Sequence, residues 1–530
     1  MKKQILLFLL IMLIIPSLKA QYNPNPDGWN FYNYLMTTDD DELWDIFSKA
    51  FLGVAQEKSQ ASSDDLTFYD LVISNYAGHA SCFGMSLLSL ICFHEGGHLA
   101  VCGPVYQYEG GLTEHNGPDL DVVRESISIM HLRQLSQPMI SKLIDLFNDY
   151  NWNDPEYAYN QIKTSIASHD YPLLSFMPSS IAAIEALGEG AEAHTIVPYA
   201  TSETATHYRI YVYDPNFPYS TSTDFYTGTT QRNYIDVKKS GWTHDWKYPP
   251  DYDPSDPNSY GWNGSTSGPW TFLATNVSDA KYKHNHPLNV GYLTGQLGTL
   301  IFSSGGTAEQ ITDEQGKRFY KKSGTDLELE KDPAKKTDNI IRWPFFHGEG
   351  NTEELYFIKD VNGKDYTLDI ASESKGYQCD FLLKGKSVTL NVGKSSSGKD
   401  NLKLQTIGTA DQLVELSSER ELKNVVLEMT VRLPDGRTER KFIISELNVK
   451  SKSPVVIKIA DMNSSLRVES PQNEIEYMLE LKQIHKGSEV KLAPQKIVVP
   501  RGQMKTIKPL DWNSLEVDEL QIKERELQRK

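Results

Sequence analysis

The feature that most constrains this 530-residue chain is a change of hydrophobic period along its length. In the second half, short apolar runs alternate with polar residues over 355–358, 381–392, 425–433, 442–447, 455–459 and 475–484. A period of two buries one side chain and wets the next, which is the pattern of half-buried antiparallel strands. Pro434-Asp435-Gly436 sits between two such runs and reads as a hairpin turn. The first half behaves differently. From Asp39 to Tyr150 the spacing is mostly helical, clearest at Ile127, Ile129, Met130, Leu132 and Leu135. Pro138 should divide that stretch into two helices, and a third is expected over 155–168 with its proline in the first turn. From Tyr171 the period falls towards two, giving strands over 171–176, 194–199 and 207–213. Residues 214–272 are dense in Pro, Gly, Asn, Ser, Thr and Tyr and read as a long loop-rich insertion.

The fold class that follows is an α+β N-terminal domain over 21–305, then all-β, sandwich-like modules. These are a β module over 306–410 and a β-sandwich module over 411–530, whose last fifteen residues read as a charged helix or frayed tail. Residues 1–20 are set apart. Lys2 and Lys3 precede an apolar run from Ile5 to Ile15, and Pro16, Ser17 and Ala20 follow. That is the layout of a secretory signal peptide cut near Ala20, and the run is too short to span a bilayer. The expected location is therefore secreted, periplasmic or at the cell surface. With 53 Lys+Arg against 70 Asp+Glu, the net charge of −17 argues against nucleic acid as a partner. Four cysteines in so long a chain cannot form a disulfide framework, so each must be read alone.

Two stretches could carry chemistry. In the first, Asn75 to Ser86, turn-forming Gly78 and cap-type Ser81 precede an apolar run and place Cys82 in the first turn of a helix. A helix N-terminus carries about half a positive charge, which favours a thiolate there. A buried structural cysteine is the bland alternative. In the second, His194 opens one strand and Asp214 closes the next, so an antiparallel pairing would set them side by side. The carboxylate would then orient the imidazole, leaving its other nitrogen for a nucleophile.

Taken together these segments resemble the papain-like cysteine peptidase superfamily. The resemblance lies in Cys82-Phe83-Gly84-Met85 opening a helix, His194 on a strand, and Val212-Tyr213-Asp214-Pro215-Asn216 ending the next. The order Cys, His, Asp, with separations of about 110 and 20 residues, is similar to that of bacterial members and covers about residues 30–305. What it implies is a helical subdomain bearing the nucleophile and a β subdomain bearing His and Asp. Cys82 would attack an acyl carbon, His194 shuttle the proton, and Asp214 orient His194. The Cys82 N–H and an upstream polar side chain would form the oxyanion hole. The usual Gln before the nucleophile is absent, and Asn75 is the preferred substitute over His79, because a carboxamide donates without being protonated. The activity implied is a secreted thiol peptidase or amidase acting on extracellular peptide or protein substrates, with no cofactor.

Two alternatives stand beside this reading. One is a non-catalytic surface or adhesion protein with a degenerate papain-like scaffold, whose β modules contact a cell surface or carbohydrate. The other is a zinc-dependent hydrolase, because His94-Glu95-Gly96-Gly97-His98 matches H-E-x-x-H, with His94 and His98 as ligands and Glu95 as base. Glu109, Glu114 and His115 could then supply a third ligand. Against it, two adjacent glycines cost a helix about 2 kcal/mol relative to alanine. Cys92 and Cys102 straddle that double-Gly turn and could pair in an exported protein, whereas Cys82 and Cys92 would be about 15 Å apart on one helix. Cys379 falls in the β half. Asp39-Asp40-Asp41-Glu42 reads as helix-start acids, and the Trp/Tyr-rich stretch 242–270 as a possible cleft lining or carbohydrate face.

Overall fold

The computed structural model describes residues 21–111, 117–148, 153–178, 193–239, 244–255, 260–265, 270–276, 291–292, 297–303, 306–323, 326–329, 335–337, 339–343, 354–372, 376–394, 397–407, 409, 412–515 and 520–527. The expected leader and its cleavage point, together with Glu114 and His115, lie outside these residues.

The N-terminal body is helices packed on one antiparallel sheet. Its principal helices are α1 (Asp40–Ala50), α2 (Ser63–Phe68), α3 (Cys82–Glu95), α4 (Asp121–Leu132), α5 (Gln137–Asn148) and α6 (Pro155–Ala167). The acidic run does start α1: Asp39 is its N-cap, accepting from the Glu42 N–H at 3.0 Å. Pro138 falls in the first turn of α5, and a 3₁₀ turn over Arg133–Leu135 separates it from α4. Helix α3 is buried from Cys82 through Cys92, as its nearly continuous apolar sequence requires. Helix α4 crosses it at Gly84, where an added Cβ would lie 2.1 Å from the Ile127 carbonyl oxygen and 2.9 Å from the His131 nitrogen. Only a residue without a side chain permits that approach.

Seven strands form the sheet: β1 (Pro172–Pro178), β2 (His194–Glu203), β3 (His207–Tyr213), β4 (Tyr234–Lys238), β5 (Trp246–Tyr248), β6 (Trp262–Gly264) and β7 (Trp270–Asn276), in the order β6-β5-β4-β3-β2-β1-β7. This corrects the reading of 214–272 as a loop-rich insertion. Its strands β4 to β7 build both edges of the sheet, and β5 and β6, at three residues each, are too short for their period to show. Trp246, Trp262 and Trp270 are buried here, so they form core and not a carbohydrate face.

The C-terminal half is two large antiparallel sheets, as the alternating runs require. Nine strands run in the order Ile340–Arg342, Glu354–Lys359, Leu297–Ser303, Tyr377–Leu383, Lys386–Val392, Leu422–Arg432, Thr438–Val449, Ile475–His485 and Ser488–Val499. Eight run in the order Gly306–Asp313, Tyr366–Ser372, Gly398–Gln405, Leu413–Ser418, Val455–Ala460, Ser465–Ser470, Gln503–Pro509 and Leu520–Glu526. Apolar residues of both sheets share one core, for example Phe302, Leu390 and Met429 with Ile370, Leu402 and Val414.

Two boundaries and the last element differ from expectation. Leu297–Ser303 pairs within the nine-stranded sheet, so the N-terminal body ends before residue 297 instead of at 305. Lys386–Val392 pairs with Leu422–Arg432 and Gly398–Gln405 with Leu413–Ser418, so both sheets run across residue 410 without a seam. Leu520–Glu526 is a paired edge strand and not a helix or frayed tail; its charged side chains are exposed, which suits an edge. The single run 381–392 is two strands turned at Gly385, whose φ is +75°. The expected hairpin at Pro434-Asp435-Gly436 is present, with the Asp435 carboxylate accepting from the Arg437 and Thr438 N–H groups.

The nine-stranded sheet also contacts the N-terminal body. Leu297, Ile301, Trp343, Leu355 and Phe357 join the N-terminal core, while their neighbours Leu300, Phe302, Tyr356 and Ile358 face the other way. Both faces of Glu354–Lys359 are thus buried, which explains why its apolar run is continuous. A polar cluster closes the seam: Arg432 pairs with Asp64 and Glu439, Glu439 accepts from the Ser63 hydroxyl, and the Tyr292 phenol donates to Asp65.

Candidate active site

Strand β2 begins at His194 and β3 ends at Tyr213, and their register sets Val197 opposite Tyr213. The residue following β3 therefore lies beside the start of β2. His194 Nε2 and Asp214 Oδ1 are 2.8 Å apart, both side chains buried. The same oxygen accepts from the Asn216 N–H at 2.8 Å, and Oδ2 accepts from the Tyr248 phenol at 2.6 Å. Three donors thus replace the water that a fully buried carboxylate has lost. The Tyr226 hydroxyl holds the backbone at this point, accepting from the Asp214 N–H at 3.2 Å and donating to the Phe217 carbonyl at 2.7 Å.

Cys82 is the first residue of α3, as its sequence context implies. Its approach is clamped by the N-terminal segment. The Met36 N–H donates to the His79 carbonyl at 2.9 Å, Gly78 to Met36 at 3.2 Å, and Ser81 to Tyr34 at 2.9 Å. Gly78 has a φ of +77°, the left-handed conformation that favours glycine. One turn into the helix, the Ser86 hydroxyl donates to the Thr195 carbonyl at 3.0 Å, tying α3 to the residue after His194. The Trp29 indole donates to the Met85 carbonyl at 2.8 Å.

These constraints set the Cys82 side chain beside His194, near enough to contribute to the basicity of the imidazole. Because Nε2 is engaged by Asp214, Nδ1 is the ring nitrogen left for the thiol. Burial works to lower the basicity of His194, but the Asp214 charge and hydrogen bond, with a smaller contribution from Cys82, overcome it and push its pKa up to about 10. Ser81 occupies the N-cap position without making a side-chain capping bond. By helix geometry the N–H groups of Cys82, Phe83 and Gly84 have no carbonyl partner within α3.

Aromatic rings cover the pair. The Trp262 ring stacks on His194 with centroids 5.1 Å apart and planes 4° from parallel. Tyr260 stands edge-on to both, 6.4 Å from His194 and 5.0 Å from Trp262. Asn33 donates to Asn216, which in turn donates to the Tyr260 hydroxyl, so the lip of the site is hydrogen-bonded to its floor.

Cys82, His194 and Asp214 are therefore brought together. Asn75 lies on the helical turn Ser74–Tyr76, and its amide donates to the Leu71 carbonyl at 2.8 Å, a local bond one turn back. The zincin spacing does not survive folding. Helix α3 stops at Glu95, Gly96 takes the left-handed conformation, and His98 lies on the two-residue strand Gly97–His98. His94 and His98 thus share no helical face, because the double glycine ends the helix between them. Among the described residues, Glu109 included, no group of three or more His, Cys, Asp or Glu is placed to hold a metal.

All four cysteines are free thiols: Cys82, Cys92 and Cys379 are buried and Cys102 is exposed. The pairing of Cys92 with Cys102 that their spacing allows is not formed. Sequence reasoning missed Tyr226 as part of the site, and gave Tyr248 and Trp262 only as unnamed members of the 242–270 stretch that could line a cleft. Their only signal was the aromatic density of a stretch whose period reads as loop. No protein-family model, curated protein or solved structure matches the chain.

Proposed function

We propose that the chain is a papain-like thiol hydrolase that cleaves peptide or amide bonds, with Cys82 as nucleophile, His194 as base and then acid, and Asp214 as the group that orients His194. The observation that carries this reading is the buried His194–Asp214 pair at 2.8 Å, with Cys82 beside the same imidazole at a helix start. The imidazole takes the thiol proton, and the thiolate forms a bond to the acyl carbon. The resulting oxyanion is met by the N–H groups that open α3. The protonated imidazole then donates to the departing amine, leaving a thioester. Water, deprotonated by His194, cleaves that thioester and restores the thiol.

Peptides or proteins are the proposed substrates, met outside the cytoplasm after removal of residues 1–20. Among the described residues no helix is long and apolar enough to cross a membrane. The β half is assigned to contact with a cell surface or carbohydrate. A second reading, a scaffold without activity, draws on one observation: Cys82 and His194 are only 6% and 4% exposed. Alkylation by iodoacetamide at neutral pH, located by peptide mapping, separates the two. Rapid modification of Cys82 and peptide hydrolysis that Cys82→Ala abolishes support the hydrolase. A Cys82 that reacts no faster than an ordinary buried thiol overturns it.

A further inference from the structure

We propose that Tyr248 is a positioning residue of this centre: its phenol holds Asp214 so that Oδ1 faces His194 Nε2. The inference rests on the reading of Cys82, His194 and Asp214 as the reacting group. The two carboxylate oxygens of Asp214 have different duties. Oδ1 meets His194 and the Asn216 N–H, while Oδ2 meets Tyr248 at 2.6 Å. The terminal torsion of an Asp side chain is soft and nearly two-fold, so Oδ1 stays in place only if both oxygens are engaged. Tyr248 is the donor that engages Oδ2.

Tyr248 is itself held rigidly. It ends β5, is fully buried, and stacks on Phe176 with centroids 5.3 Å apart and planes 20° from parallel. Trp262 lies 6.2 Å from Tyr248 and 5.1 Å from His194, near-parallel to both, so one ring braces both partners of Asp214. Burial, with the neighbouring Asp214 charge, pushes the Tyr248 phenol well above its ordinary range, which keeps it a protonated donor. The titratable groups facing this set are Cys82 on His194, Tyr213 and Tyr226 on Asp214, and Tyr226 and Tyr260 on Tyr248.

The test is the pH profile of Cys82 carboxymethylation by iodoacetate, read by mass spectrometry of the Cys82 peptide in the full chain. Iodoacetate is an anion and reacts with a thiolate beside a protonated imidazole, so the alkaline limb reports loss of the His194 proton. In Tyr248→Phe the aromatic packing is kept and Oδ2 loses its donor. The alkaline limb should move to lower pH by about one unit, with a several-fold slower rate at neutral pH. A purely structural role would lower the melting temperature and leave the limb in place, and that result overturns the proposal. Should the Phe variant not fold, 3,5-difluorotyrosine placed at 248 keeps the shape and alters donor strength. A displaced limb then supports the proposal and a superimposed one overturns it. If wild-type Cys82 shows no such profile, the reading of the whole centre falls; if only the two Tyr248 profiles coincide with wild type, the centre stands and this inference falls.

Discussion

Asp214→Asn removes one charge from the centre and almost none of its shape, so it isolates what that charge does to His194. In the folded protein the imidazole pKa is raised from 6.5 to about 10, against the opposing effect of burial. A folded-state pKa above the unfolded one means that the native state binds the proton more tightly. The associated stability is complete below the unfolded pKa of 6.5 and is lost as pH rises through the folded value near 10. At about 1.4 kcal/mol per unit, this coupling contributes about 4 kcal/mol at pH 6.5 and about 1 kcal/mol at pH 9.5. The difference in unfolding free energy between wild type and Asp214→Asn should therefore shrink by about 3 kcal/mol between those two pH values. Urea unfolding followed by tryptophan fluorescence at pH 6.5, 8.0 and 9.5 measures it, and taking the difference cancels the titration of other groups. Parallel pH dependence of the two proteins, with the gap changing by less than about 1 kcal/mol, would refute the claim that Asp214 keeps His194 protonated.

Two further outcomes follow from the packing. In Gly84→Ala the new Cβ meets the Ile127 carbonyl oxygen at 2.1 Å, and backbone cannot yield as a flexible side chain can. Overpacking costs about 1–3 kcal/mol and outweighs the roughly 1 kcal/mol of helix propensity gained, so both the melting temperature and the Cys82 alkylation rate should fall; unchanged values would contradict the close crossing of α3 and α4. Arg432→Ala leaves Asp64 and Glu439 without their cation at the seam, a loss of about 3–5 kcal/mol for a buried pair. Calorimetry should then show the N-terminal body and the β half melting as separate transitions where wild type melts as one, and a single unshifted transition would show that the ionic cluster does not couple them.

What could be read from the sequence followed the length and regularity of each element. Val455–Ala460 and Ile475–His485 alternate cleanly between core and solvent, and their runs predicted them nearly to the residue. Helix α3 was legible because an apolar run between Ser81 and Gly96 leaves little choice of start or stop. His194 and Asp214 were legible because one opens a strand and the other follows the next, which an antiparallel pairing sets side by side. The three-residue strands β5 and β6 were not, since three residues cannot display a period. Their long-range pairing decides where Tyr248 and Trp262 lie, and pairing is tertiary information. The Leu297–Ser303 strand was assigned to the wrong side of the boundary for a related reason. Both of its faces are buried, one against each core, so no change in composition marks the division.

The same contrast separates the parts of the site that set geometry from the parts that can set preference. Cys82 stands on a buried helix whose position is decided by Gly84 against α4, Trp29 against Met85, and Ser86 against Thr195. His194 and Asp214 stand at the ends of paired strands. No distance among the three depends on an unsupported loop, and a reacting group placed on packed elements keeps its geometry through loop motion. The surroundings are built the other way. Leu35 and Tyr260 are large, apolar and exposed, and His79 and Ala80 are exposed just before Cys82. These residues lie in connecting segments where substitution disturbs little of the core. On the proposed hydrolase reading, a change of substrate preference would therefore be sought at Leu35, His79 and Tyr260, and a loss of reaction at Gly84, Trp262 and Tyr248.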